Sequence, residues 1–138
     1  MSFRYLLDTS IVSEPALQKP NARILSRLRA EASACAIASP VWHELWYGVN
    51  RLPGGRRRQE LEAYLSGVVR TSFPILPYDD SAAAWHGAER ARLEALGKTP
   101  PFVDGQIAAI AFVHGLEVVT NNVKDFRSFK GVSAKKWG

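Results

Sequence analysis

The sequence predicts an α/β fold: a three-layer α/β/α domain around a short, mainly parallel central sheet. Two observations carry that expectation. Short apolar runs of strand length recur along the chain, and each pair is separated by a longer stretch with helical periodicity, which implies crossover connections between parallel strands covered on both faces. The chain is also long enough, at 138 residues with 46% hydrophobic and 22% charged, to bury its own core as a single domain over residues 1–138. No repeat and no low-complexity linker divides it.

The elements follow in order. Phe3–Leu7 reads as a first strand ending at Asp8. A brief helix follows, then a polar stretch with Pro15 and Pro20, then a second helix over about Ala22–Arg29. Cys35–Ala38 is the second strand candidate. Ser39-Pro40 then starts a helix, with serine suited to the N-cap and proline to the first helical position. Trp42, Leu45, Trp46 and Val49 recur at i, i+3, i+4, i+7, so this helix buries a stripe, and it stops near Pro53-Gly54-Gly55. A further helix spans Arg57–Val69. Pro74–Pro77 is a third strand, whose flanking prolines suggest a sheet edge. Asp79 or Asp80 caps an alanine-rich helix ending near Gly97. Phe102–His114 is apolar nearly all round apart from Asp104 and Gln106, which predicts a buried helix. Gly115 closes it, and Glu117–Thr120 is the fourth strand. The tail, with Phe126, Phe129, Val132 and Trp137, covers a last short strand.

Composition excludes several classes. Cys35 is the sole cysteine, which leaves neither an internal disulfide nor a thiolate zinc site. No apolar run approaches the roughly 20 residues of a membrane span, and no secretory leader is recognisable, so the expected setting is the cytoplasm. Eighteen Lys plus Arg against 13 Asp plus Glu leave a net charge of +5, a bias toward polyanions. Aspartate is scarce: Asp8, Asp79, Asp80, Asp104 and Asp125. Three of them interrupt apolar stretches.

Parallel strands point their carboxyl ends to one rim, and ligands bind in the crevice beyond it. Asp8 follows the first strand there. The helix carrying Glu44 follows the second, and Asn121, Asn122 and Asp125 follow the fourth. Asp104 opens a helix that must begin at the same rim. Carboxylates scattered from residue 8 to residue 125 therefore converge by topology. Crowded carboxylates repel and hold protons unless a cation joins them. Mg²⁺ takes one or two carboxylates directly and keeps several waters. It can orient a water and stabilise charge on a phosphate under in-line attack. Each acid also has a plainer reading: Asp8 as a helix cap, Asp104 as a charge favourable to the helix dipole, and Asp125 as a loop residue. Glu44 falls away from the Trp42/Trp46 stripe, on a side that periodicity assigns to solvent.

Taken together, these segments resemble the PIN-domain ribonucleases, and within them the VapC-type toxins of bacterial toxin–antitoxin pairs. The segments are Tyr5-Leu-Leu-Asp-Thr-Ser-Ile11, Ser39-Pro-Val-Trp-His-Glu-Leu45 with Gly48, Arg51–Arg56, Pro101-Phe-Val-Asp-Gly-Gln-Ile-Ala-Ala109, Gly115–Phe126 and Trp137. The resemblance implies a Mg²⁺- or Mn²⁺-dependent endoribonuclease cutting single-stranded segments of structured RNA such as tRNA or ribosomal RNA. It implies a homodimer, a VapB-like antitoxin that covers the groove, and operator DNA bound only through that antitoxin. Asp8, Glu44, Asp104 and Asp125 are the implied catalytic acids, with Asp8 and Asp104 holding the metal directly. Three positions depart from the usual pattern: Ser10 for asparagine, Asn122 for an acid in some relatives, and Lys136 for proline.

Arg56, Arg57 and Arg58 open a predicted helix where cations oppose its dipole, which points to phosphate contacts or to a solvated or antitoxin-facing patch. Lys124 and Lys130, with Arg127, Lys135 and Lys136, form a second basic cluster suited to an RNA backbone. Trp42, Trp46 and Trp85 read as core or dimer interface. Two other functions fit an apolar strand ending in aspartate. A haloacid-dehalogenase-like phosphotransferase would need an acid where Ser10 stands, and a non-catalytic RNA-binding protein would tolerate Asn122.

Overall fold

The computed structural model describes residues 2–138. Five parallel strands form the sheet in the order β3-β2-β1-β4-β5. β1 (Tyr5–Leu7) lies at the centre, flanked by β2 (Cys35–Ala38) and β4 (Glu117–Val119). β3 (Ile75–Leu76) and β5 (Ala134–Lys135) are two-residue edges. The proline-flanked strand is thus an edge, as expected. All of β1 and β2 is buried, the signature of parallel strands covered by helices on both faces.

β1 leads through Asp8 into α1 (Thr9–Val12), then a 3₁₀ turn and α2 (Ala22–Glu31). Asn21 starts α2 by accepting from the backbone N–H groups of Arg23 at 2.9 Å and Ile24 at 3.1 Å, which satisfies donors that the helix itself cannot. α3 (Ser39–Asn50) follows β2 without a break. Here the sequence expectation needs correction. Ser39 is the first helical residue rather than the cap, and its hydroxyl instead accepts from Tyr78 N–H at 3.2 Å, stitching the exits of β2 and β3 together. Val41, Leu45 and Val49 form the buried stripe of α3, and Trp42 and Trp46 flank it half-buried, edge to face at 5.8 Å.

The helix expected over Arg57–Val69 is α4 (Arg56–Ala63), which continues through a π-helical turn (Tyr64–Val69) into α5 (Arg70–Ser72). α6 (Asp80–Ala95) is capped by Asp79, which accepts from Ala82 N–H at 3.0 Å. α7 (Phe102–His114) ends at Gly115, whose φ of 66° lets Leu116 N–H reach back to Ala111 O at 2.8 Å. α7 is not buried all round. Its inner side, with Gly105 and Ile107 to Ala111, is core, while Phe102, Phe112 and Val113 are exposed. Phe112 stacks on Trp85 of α6 at 4.7 Å. Near-uniform apolarity hid this outer face, because periodicity marks a surface only where polar residues define one. The tail after β4 runs through a 3₁₀ turn (Val123–Phe126) to β5, and Trp137 folds back edge-on to Tyr5 at 5.2 Å.

Candidate active site at the carboxyl rim

Asp8 leaves β1 in extended conformation and caps α1: its Oδ1 accepts from Thr9 N–H at 2.8 Å. Capping does not exhaust it. Oδ2 accepts from the hydroxyl of Thr120 at 2.7 Å, and that hydroxyl in turn accepts from Asn122 N–H at 3.0 Å. Thr120 is fully buried and directly follows β4. One residue on, Asn121 N–H reaches Ser10 Oγ at 3.4 Å. The exits of the two central strands are therefore tied through the carboxylate itself. Hydrogen bonds to both oxygens fix the orientation of this carboxylate, as outer partners do for a metal ligand.

Asp104 sits in the first turn of α7, half-buried, and accepts no hydrogen bond among the described residues. Burial, then the charges of Asp8 and Asp125, push its carboxyl up from 3.8 to about 6. The helix dipole alone would act the other way, so burial and the neighbouring charges together outweigh it. Three of the expected acids thus share one electrostatic site. Asp125 stands exposed on the 3₁₀ turn after β4. Glu44 does not join the trio acting on Asp104. It is half-buried one turn into α3, in an adjoining apolar groove that also takes in Thr9, Ser13, Gly48 and Tyr64. Periodicity on α3 alone assigned it to solvent, and the neighbouring α1 is what covers it.

Among the described residues no group of three His, Cys, Asp or Glu side chains is placed to hold a metal ion. The donor set nevertheless fits a hard divalent cation. All of it is carboxylate and hydroxyl oxygen, Mg²⁺ needs only one or two carboxylates, and Asp104, raised by burial first and by its acidic neighbours second, is a group whose ionised form a cation favours.

Two arginines of the basic run have local partners. Arg57 Nη2 donates to Ala16 O at 2.6 Å, and Arg58 donates to Asn50 Oδ1 at 3.0 Å and Leu52 O at 3.3 Å while pairing with Glu62. They hold the loop before α4 and the loop after α1, a structural reason that the dipole argument overlooked. Arg56 is exposed and pairs with Glu60 at 3.2 Å. Lys124 and Lys130 are exposed near Asp125. The sequence reading passed over Thr120. Its position directly after β4, at the same rim as Asp8, was the available signal.

A five-stranded parallel sheet in this order, layered between helices, is a PIN-like fold. The PIN domain family matches residues 5–132. The chain is 33% identical to "Toxin FitB" of Neisseria gonorrhoeae, with 88% of this chain and 89% of that one covered. It is 32% identical to "Ribonuclease VapC2" of Haemophilus influenzae, over 97% and 98% of the two chains. It is 31% identical to "tRNA(fMet)-specific endonuclease VapC" of Salmonella typhimurium, again over 97% and 98%. Among solved structures it superposes on the FitAcB structure from N. gonorrhoeae with a TM-score of 0.87 at 31% identity, covering 94% and 95% of the two chains. It also superposes on DNA-bound VapBC from S. typhimurium with a TM-score of 0.84 at 30% identity, covering 99% of each. The chain belongs to the PIN-domain family and is a VapC-type member of it. Membership sets aside the dehalogenase-like phosphotransferase. No helix among the described residues is long and apolar enough to cross a membrane.

Proposed function

We propose that this protein is an antitoxin-controlled endoribonuclease toxin of the cytoplasm, dependent on Mg²⁺ or Mn²⁺. Its substrate would be single-stranded segments of structured RNA, tRNA or ribosomal RNA. The observation that carries the reading is the tie of Asp8 to Thr120 at the exits of β1 and β4, beside an Asp104 whose carboxyl is pushed up to about 6 by burial and then by the charges of Asp8 and Asp125. A carboxylate trio so arranged is poorly suited to structure alone and well suited to a shared cation. The relatives' names, ribonuclease and tRNA-specific endonuclease, support RNA as the substrate.

A divalent ion at this rim would supply charge stabilisation on the scissile phosphate and a more acidic water. Asp8 and Asp104 are the residues to hold it. Asp8 is kept in place by Thr9 N–H and the Thr120 hydroxyl. Asp125 and Glu44 would orient its waters or hold a second ion. Attack at phosphorus breaks the P–O3′ bond and leaves a 3′-hydroxyl and a 5′-phosphate. Lys124, Lys130 and Arg56 are available for backbone phosphates, whereas Arg57 and Arg58 already have protein partners.

Solved neighbours described as FitAB bound to DNA and DNA-bound VapBC support a VapB-like antitoxin that carries the operator contact. The apolar groove between α3 and α4, beside Glu44 and Tyr64, has a volume of about 210 Å³ and suits an apolar antitoxin side chain next to the acids. Exposed Phe112 and Val113 suit the contact of a homodimer.

The deciding experiment is Asp104→Asn. The variant should neither cut RNA nor arrest growth, yet should fold and bind antitoxin. EDTA should silence the wild type, and Mg²⁺ or Mn²⁺ should restore it. Cutting retained by the variant would overturn the scheme. RNA binding without cutting by the wild type would leave the non-catalytic reading.

A further inference from the structure

Two buried hydrogen-bond donors, Arg27 Nε and Trp137 Nε1, have no acceptor among the described residues. They lie together, with the Arg27 guanidinium 5.2 Å from the centre of the Trp137 ring. Trp137 is only 6% exposed. A buried N–H left without an acceptor keeps an uncompensated desolvation cost, and such groups are rare. Two at one spot need an explanation.

Their surroundings supply one. A recess of about 150 Å³ is lined by Arg27, Lys135, Lys136 and Trp137. Each of these side chains is a donor and none is an acceptor. The adjoining cleft adds Arg23 and Ser26 of α2. Lys135 is partly offset by Glu117 at 3.5 Å, but Arg23, Arg27 and Lys136 join no ion pair among the described residues. The indole face is already occupied by Arg27 and by Tyr5 at its edge, so a stacked base is not what the recess accommodates. An oxyanion is.

The position narrows the class further. The chain leaves β5 at the rim where the acids gather: Thr120 N–H donates to Lys135 O at 3.0 Å, while the Thr120 hydroxyl holds Asp8. Trp137 then turns back to Tyr5 at the start of β1, so the recess lies along the sheet from the carboxylates, where a polyanion crossing the rim would continue. We propose that the Arg27–Trp137 recess binds a backbone phosphate of the RNA substrate, away from the bond that is cut. The proposal rests on the endoribonuclease reading for the identity of the polyanion.

The test uses the full chain carrying Asp104→Asn, so that RNA survives. The chain has four tryptophans, hence four indole N–H signals in a ¹H–¹⁵N spectrum, and Trp137→Phe identifies the one concerned. Titration with a single-stranded oligoribonucleotide should move the Trp137 signal, and inorganic phosphate should move it only at far higher concentration. Arg27→Gln should weaken RNA binding by about 3–10-fold and lower the slope of log K against log salt by about 0.7, one phosphate's worth for a single strand. Arg27→Lys, which keeps the charge, should recover the slope. A Trp137 signal indifferent to RNA overturns the inference, as does one moved by inorganic phosphate alone. The indole titration needs no change at Arg27, so poor folding of that variant would not spare the idea. If the wild type cuts no RNA but the indole still responds to RNA, the nuclease reading fails and this site stands. If cutting is normal and the indole is silent, the reverse holds.

Discussion

Neutralising Asp104 should stabilise the metal-free protein, the opposite of what removing a buried polar group usually does. In the fold its carboxyl is pushed from 3.8 to about 6 by burial and by Asp8 and Asp125. A raised acid binds more protons folded than unfolded, so stability falls as pH rises through that window. The ionised carboxylate therefore costs nothing below about pH 4 and its full amount above about pH 6. At 1.36 kcal/mol per pH unit the ceiling is about 3 kcal/mol. Partial exposure screens it, and about 1–2 kcal/mol is the figure to expect. Asp104→Asn keeps the shape, and Asp104 accepts no hydrogen bond that would be lost among the described residues. Thermal melts in EDTA at pH 7.5 should rise by roughly 3–8 °C for a chain of this length, and the gain should vanish near pH 4. Added Mg²⁺ should stabilise the wild type and leave the variant unmoved. A variant less stable than wild type at pH 7.5, or a gain that persists at pH 4, would refute the burial and crowding of Asp104 from which the prediction is worked.

Other outcomes follow from the same geometry. Thr120→Val removes the hydroxyl between Asp8 Oδ2 and Asn122 N–H. Single-turnover cutting should fall about 10- to 100-fold, with a raised Mg²⁺ requirement, and melts should show a loss of about 1–2 kcal/mol. At Gly105 an added Cβ would lie 2.1 Å from His86 Nε2, and that ring is buried and bonded to the Tyr78 hydroxyl at 2.8 Å. Gly105→Ala should cost about 1–3 kcal/mol, and adding His86→Ala should recover part of it in a denaturant double-mutant cycle. Glu89 accepts from Arg92 at 2.7 and 2.8 Å and from Lys130 N–H at 2.8 Å, joining α6 to the tail. Chiefly the Arg92 hydrogen bond holds its carboxyl below the usual range. Its contribution is therefore full above the unfolded value and lost as pH falls through the lowered one. Glu89→Gln should lower stability by about 2 kcal/mol at pH 7, and the difference should shrink in acid melts.

The sheet was legible in the chain because parallel strands covered on both faces must be short and wholly apolar, and helices carry their own period and caps. That logic located β1, β2 and β4, the edge character of β3, and the rim that Asp8 and Thr120 share at the exits of β1 and β4, since topology brings together strand ends however far apart they lie in sequence. Arg57, Ser39 and Glu44 were misjudged for one reason. Each owes its surroundings to an element other than its own helix: Ala16 for Arg57, Tyr78 for Ser39, and Thr9 of α1 with the following Ser13 for Glu44. Tertiary structure alone decided that the Thr120 hydroxyl holds Asp8, that α7 keeps an exposed apolar face, and that Arg27 and Trp137 bring their unpaired donors together. Local pattern specifies which groups are polar or apolar and at what interval. Which acceptor a donor meets, and what charge stands opposite a carboxylate, depends on through-space distances between segments remote in sequence, and these exist only once the chain has packed.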